Sequence, residues 1–110
     1  MRLPSNLFSK NLSNSLESID CSYNLLTEIN NLPISVTKLF CSHNQIIKLE
    51  LPKKLFYLDC SYNKITKLNN LPESLYSLTC NNNQLTKINN LPSSLNTLIC
   101  YNNQITKLCE

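Results

Sequence analysis

An eleven-residue phrase recurs five times in this chain, beginning at Leu16, Val36, Leu55, Leu75 and Leu95, with Cys at its sixth position and Asn at its ninth in every copy. Successive starts are 20, 19, 20 and 20 residues apart. A unit that short cannot enclose a core of its own and must bury its apolar side against the next copy, so a fixed period near 20 residues excludes most globular architectures and predicts a solenoid. The units divide the chain into repeats at 16–35, 36–54, 55–74, 75–94 and 95–110, preceded at 1–15 by a degenerate N-terminal cap or partial repeat.

Within each copy, positions 4 and 6 are apolar while positions 3 and 5 are mostly polar, as in Lys38-Leu39-Phe40-Cys41 and Ser77-Leu78-Thr79-Cys80. That alternation is the pattern of a strand with one buried face, and strands one repeat apart then stack as a single curved parallel β-sheet. After the Asn come two further apolar anchors, separated in most copies by Thr-Lys, and the unit closes on Leu-Pro at 32–33, 51–52, 71–72 and 91–92. Proline fixes its own φ and disfavours helix at the residue before it. With so few residues available, the return segment is predicted to be extended or a short 3₁₀ turn, with little or no α-helix. The one-residue deficit falls near Glu50, where other units carry Asn-Asn. An outer loop is where such a loss is most easily absorbed.

The units conform to LxxLxLxxNxL and so resemble leucine-rich repeats over residues 16–110. With their Leu-Pro-x-x-Leu junctions they look like short leucine-rich proteins of amoebae and of giant DNA viruses that infect them, and like the leucine-rich arms of bacterial effector ubiquitin ligases. The resemblance implies a noncatalytic protein-binding module. It also implies, as an alternative, the substrate-recognition arm of a ubiquitin ligase whose catalytic part lies on another chain, while the expected uncapped ends of the array suggest a third reading, a self-stacking structural protein.

The regular columns read mainly as scaffold. Cys21, Cys41, Cys60, Cys80 and Cys100 occupy inward slots where the resembled family has Leu, and free Cys packs as a small buried hydrophobe. Bridges between neighbouring turns are geometrically conceivable, because stacked strands and disulfide-linked Cα atoms have overlapping separations. A reduced ladder is the preferred reading, and it places the protein in the cytoplasm, or the host cytoplasm if the chain is viral. No close Cys pair or paired-His spacing suggests a metal. Cys109, outside the column, has as its sole candidate histidine base His43, three turns away. The column Asn24, Asn44, Asn63, Asn83 and Asn103 is expected to satisfy backbone groups at the bends.

Charge and composition exclude several functions. A hydrophobic content of 42% with 15% charged residues fits an ordered domain, and no apolar run approaches a membrane span or a signal sequence. The net charge of +3 comes largely from Lys48, Lys67, Lys87 and Lys107, in one column with Glu28. No aromatics interleave with these lysines, which argues against single-stranded nucleic acid and for a solvated outer face. The chain has no glycine and thus no Gly-rich phosphate loop, no paired acid and base, and no implied cofactor.

The irregular positions carry the functional expectation. Positions 3, 5, 7 and 8 place Tyr23, Phe40, His43, Tyr57, Asp59 and Tyr62 on the concave sheet face. Exposed aromatics with little surrounding charge are what protein-binding patches use for affinity, so these six form the candidate surface for a protein partner of unknown identity.

Overall fold

The computed structural model describes residues 15–108. Most of the N-terminal cap assigned to residues 1–15, and Cys109, lie outside the described residues. The described residues form nine short strands: β1 (Ser18–Asp20), β2 (Glu28–Ile29), β3 (Lys38–Phe40), β4 (Lys48–Leu49), β5 (Tyr57–Asp59), β6 (Ser77–Thr79), β7 (Lys87–Ile88), β8 (Thr97–Ile99) and β9 (Lys107–Leu108). No helix occurs among the described residues. The three-residue strands make one parallel sheet in the order β1-β3-β5-β6-β8. On the return side, β2 pairs with β4 and β7 with β9, also in parallel.

The register follows the repeated phrase. Ile19, Leu39, Leu58, Leu78 and Leu98 stand opposite one another across the sheet. A slip of one residue would turn this row to solvent, so burial of one face fixes the pairing. Behind it lies a core in which Val36, Leu39, Cys41, Ile46, Leu55, Cys60, Leu75, Leu78, Cys80, Leu85 and Ile88 are fully enclosed. Strand and return segment are each too short to fold alone, and each turn closes its core against the next.

Beyond the strand, the asparagine column ties each bend to the preceding turn. Asn63 donates through Nδ2 to the carbonyls of Cys60 at 3.1 Å and Ser61 at 3.0 Å in its own unit, and to Cys41 at 3.0 Å in the unit before. Its Oδ1 accepts the N–H of Ile46 at 2.9 Å. Asn44, Asn83 and Asn103 repeat the arrangement with Cys21 and Leu26, Cys60 and Ile65, and Cys80 and Leu85. One planar amide thus serves carbonyls and an N–H that the bend removes from both sheet ladders and from water. Among the described residues, Asn24 bonds within its own unit, to Cys21 and Ser22.

The return segment is extended, and the chain reverses through a β-turn rather than a 3₁₀ helix. Each begins at the proline: the carbonyls of Pro33, Pro52, Pro72 and Pro92 accept the N–H of Val36, Leu55, Leu75 and Leu95 at 3.0–3.2 Å. In three junctions a serine stitches the turn to the previous unit: the hydroxyls of Ser35, Ser74 and Ser94 donate to the carbonyls of Leu16, Leu55 and Leu75 at 2.6–2.7 Å. Lys54 holds the corresponding position in the remaining junction.

The shortened unit leaves a visible trace. Asn31, Asn70 and Asn90, immediately before Leu-Pro, have φ of 56°, 57° and 54°, left-handed backbone that Asn tolerates better than most residues. The second unit lacks this residue and passes from Glu50 directly to Leu51. Beside it, the outer segment of the third unit pairs as a strand with neither neighbour. Its outer backbone links are Lys64 N–H to the Ile46 carbonyl and Gln84 N–H to the Ile65 carbonyl, both at 2.9 Å.

Replacing Asn63 by Ala would leave several enclosed backbone groups unpaired and is expected to cost about 2–4 kcal/mol. For a domain of this size that lowers the thermal midpoint by roughly 10–20 °C. Asn24→Ala removes two bonds at a half-buried site and should cost clearly less. Thermal melts of the two variants side by side check the ranking, and equal midpoints would contradict the ladder's role.

Candidate protein-binding surface

The outward face of the sheet is widened by a departure from strict alternation. The Glu17 carbonyl accepts both Thr37 N–H at 2.8 Å and Lys38 N–H at 3.1 Å. The same double acceptance occurs at Thr37 for Phe56 and Tyr57, at Phe56 for Tyr76 and Ser77, and at Tyr76 for Asn96 and Thr97. Two consecutive N–H groups sharing one carbonyl is a bulge-like arrangement, and it lets neighbouring side chains escape the core together. Phe56 and Tyr57 are accordingly both exposed, at 45% and 40%.

At the other end of each strand the chain turns through left-handed backbone. Tyr23, His43, Tyr62, Asn82 and Asn102, the eighth residues of their units, have φ of 60°, 56°, 55°, 59° and 55°. Parallel pairing holds consecutive turns at the separation of adjacent strands, through Tyr23 N–H to the Ser42 carbonyl at 2.9 Å and His43 N–H to the Ser61 carbonyl at 3.1 Å. That separation is close to ring-stacking distance. The Tyr23 and His43 rings stack with centroids 4.3 Å apart and planes 7° from parallel, and His43 stacks on Tyr62 at 4.3 Å and 11°.

The six residues singled out from the sequence therefore fall into three groups. Tyr23, His43 and Tyr62 form one continuous stack at the turns. Phe40 and Tyr57 meet edge to face on the sheet, with centroids 5.6 Å apart and planes at 61°. Asp59 is in register with Phe40, and its Oδ1 accepts from Ser61 N–H at 3.1 Å and Ser61 Oγ at 2.7 Å. That carboxylate oxygen stabilises the turn, as Asp20 Oδ1 does through Ser22 N–H at 3.0 Å.

A second aromatic pair was not among the expected residues. Phe56 and Tyr76 stack at 4.9 Å with planes 2° apart, on the side of the sheet where the strands begin. Strict alternation assigns position 2 to the core together with positions 4 and 6. The available signal was the spacing itself: apolar residues at positions 1 and 4 leave two successive residues between them, and both cannot point inward.

A shallow, wide-open groove runs along the turns beside the ring stack, bordered by His43, Tyr62, Asn24, Asn44, Gln45, Asn63, Asn82, Asn83 and Asn102, with Leu25 among them. No charged side chain lines it. Among the described residues, no group of three or more His, Cys, Asp or Glu side chains is arranged to hold a metal ion, and no helix is long and apolar enough to cross a membrane.

Comparisons with known proteins agree with this architecture. Residues 62–100 match the FNIP repeat. Among solved structures the fold is similar to YopM from Yersinia enterocolitica WA-314, with a TM-score of 0.59 and 25% sequence identity. That alignment covers 92% of this chain and 32% of YopM, so the chain spans about a third of the length of the protein it matches. No curated protein matches at significant similarity.

The thiol column lies behind this surface and is chemically quiet. Cys21, Cys41, Cys60, Cys80 and Cys100 are free, and the first four are buried. Burial removes water from the thiolate that would form and pushes Cys21 up to about 11, with the Asp20 charge adding to the effect. Cys80 is pushed up to about 12, again chiefly by burial and secondarily by Cys100 beside it. Cys41 and Cys60 lie well above the ordinary thiol range for the same primary reason. Because these thiols ionise near pH 8.5 when unfolded, the unfolded chain binds fewer protons above that point. The stabilisation is full below about pH 8.5 and declines as pH rises toward the folded values. Denaturant unfolding at pH 8 and pH 10.5 should show the decline. It should be shallower in a Cys41→Val/Cys60→Val variant, in which two of the titrating groups are gone while lysines and tyrosines are unchanged.

Proposed function

Taking the chain as a leucine-rich repeat protein, we propose that it is a noncatalytic protein-interaction module that engages its partner through the aromatic residues on and beside the outward, concave face of the main sheet. The observation that carries this reading is the backbone under Tyr23, His43 and Tyr62. All three occupy the left-handed region, which costs a bulky residue such as Tyr about 1–2 kcal/mol and His less, and the equivalent positions 82 and 102 are filled by Asn, which adopts it readily. Ring stacking returns only about 0.5–1.5 kcal/mol per contact. Three rings held in place at a net cost to stability, and left partly accessible with Tyr23 69% exposed, fit a surface selected for binding rather than for folding.

Phe40 and Tyr57 extend the surface onto the sheet. Asp20 and Asp59 stand in register on either side of Phe40, and Lys38 stands opposite Tyr57, so a partner that covers these rings must also answer the charges around them. Cytoplasmic residence belongs to the same proposal and is supported by a column of thiols that suits a reducing compartment.

The test separates stability from recognition. A Tyr23→Asn/His43→Asn/Tyr62→Asn variant should melt at the same temperature as the parent or above it, because Asn relieves the backbone. A second variant, Phe40→Ser/Tyr57→Ser, changes only the sheet. Partners captured from host extract by the parent, and identified by mass spectrometry, should be lost with both folded variants. Undiminished capture by both would overturn the proposal, whereas melting far below the parent would show that the rings serve the fold.

A further inference from the structure

The ring stack ends at Tyr62, and the next position in its column belongs to a small side chain. Asn82 occupies the following turn, tied in register by Tyr62 N–H to the Asn81 carbonyl at 3.0 Å and by Asn63 N–H to the Asn82 carbonyl at 3.2 Å. Its carboxamide is engaged within its own turn, Oδ1 accepting from Asn81 Nδ2 at 2.8 Å. The column that is filled by rings at 4.3 Å intervals through three units therefore drops to an amide at the fourth. His43, flanked by rings on both sides, is half-buried, whereas Tyr62 remains 45% exposed. This step opens into the groove lined by Asn63, Asn83 and Asn102.

We propose that this step seats a planar aromatic side chain from the protein partner, Tyr or Trp, which lies on the outer face of Tyr62 and continues the stack by one place. The groove's composition selects that occupant. Rings favour an offset-stacked neighbour, and although the Asn63 and Asn83 amides are spent on backbone groups, the exposed Asn102 carboxamide offers a donor and an acceptor to a ring that carries a polar edge, which Tyr and Trp have and Phe lacks. The absence of charged side chains from the groove provides nothing to neutralise a phosphate backbone or to pair with a guanidinium or carboxylate, so a nucleic acid or a charged side chain is disfavoured. The inference rests on the protein-binding reading above and deepens it, naming one subsite and the residue class it takes.

The subsite can be tested without knowing the partner. N-acetyl-tyrosinamide and N-acetyl-tryptophanamide are titrated into the labelled protein and followed by NMR, with N-acetyl-leucinamide and adenosine in parallel. Saturable shifts are expected for the two aromatic amides, centred on the side-chain amides of Asn82, Asn83 and Asn102 and on the Tyr62 ring, with leucinamide and adenosine at least about tenfold weaker. An Asn82→Tyr variant supplies a ring at the step from the protein itself and should abolish those shifts, while its other resonances report an intact fold. An Asn82→Ala variant, which enlarges the step, should retain them. Equal shifts in the parent and in Asn82→Tyr would overturn the proposal, as would tighter binding of adenosine or absence of a saturable response to either aromatic amide. If Asn82→Tyr still captures the partner that Phe40→Ser/Tyr57→Ser loses, the subsite is wrong while the broader binding surface stands.

Discussion

Everything in this molecule depends on one amide being able to serve two turns at once. Strands of three residues offer few ladder hydrogen bonds, and the bend that follows each would strand several polar backbone groups in an apolar interior. Asn44, Asn63, Asn83 and Asn103 each spend their donors on carbonyls in their own unit and the preceding one and accept an N–H from that preceding unit. The bond pattern fixes the spacing between turns as well as the shape of each. Once that spacing is set, every other column inherits it: leucines stack on leucines, thiols on thiols, and at the eighth position rings come within stacking distance because the backbone has already brought them there.

This inheritance separates scaffold from surface. Positions that meet the next unit inside the stack are confined to Leu, Ile, Val, Cys or Asn by volume and hydrogen bonding. Those that meet it outside are confined by little except the backbone conformation beneath them. At the turns that conformation is left-handed, and a residue that departs from Asn there is physically conspicuous. Tyr23, His43 and Tyr62 depart from it in consecutive units, which is why the turns, more than the sheet, draw the functional reading.

Much of the fold was legible in the sequence because it is carried by repetition. The Leu39 and Leu58 columns, the Cys slots and the Asn bends could be assigned from spacing alone, and the sheet order and register follow from them. What could not be read is where local hydrogen bonding overrides the simple period. Phe56 and Tyr76 sit at a position that alternation sends inward, and only the sharing of one carbonyl by two N–H groups turns them out. Asp59 looked available to a partner, yet one of its carboxylate oxygens is engaged by Ser61 two residues away. The coming together of Tyr23, His43 and Tyr62 was expected as a cluster on one face. That they stack plane on plane follows from the turn geometry, which no residue pattern states.

The unpaired outer segment of the third unit has a mechanical consequence. Along the sheet the five units are joined by an unbroken series of strand pairs, but on the return side strand pairing stops on either side of the third unit. The array is thus built like a book with a continuous spine and a fore-edge that is loosely held at the middle. A load that bends it would separate the return segments around Lys64–Leu68 before it disturbed the sheet, so the outward face can change curvature without losing its register.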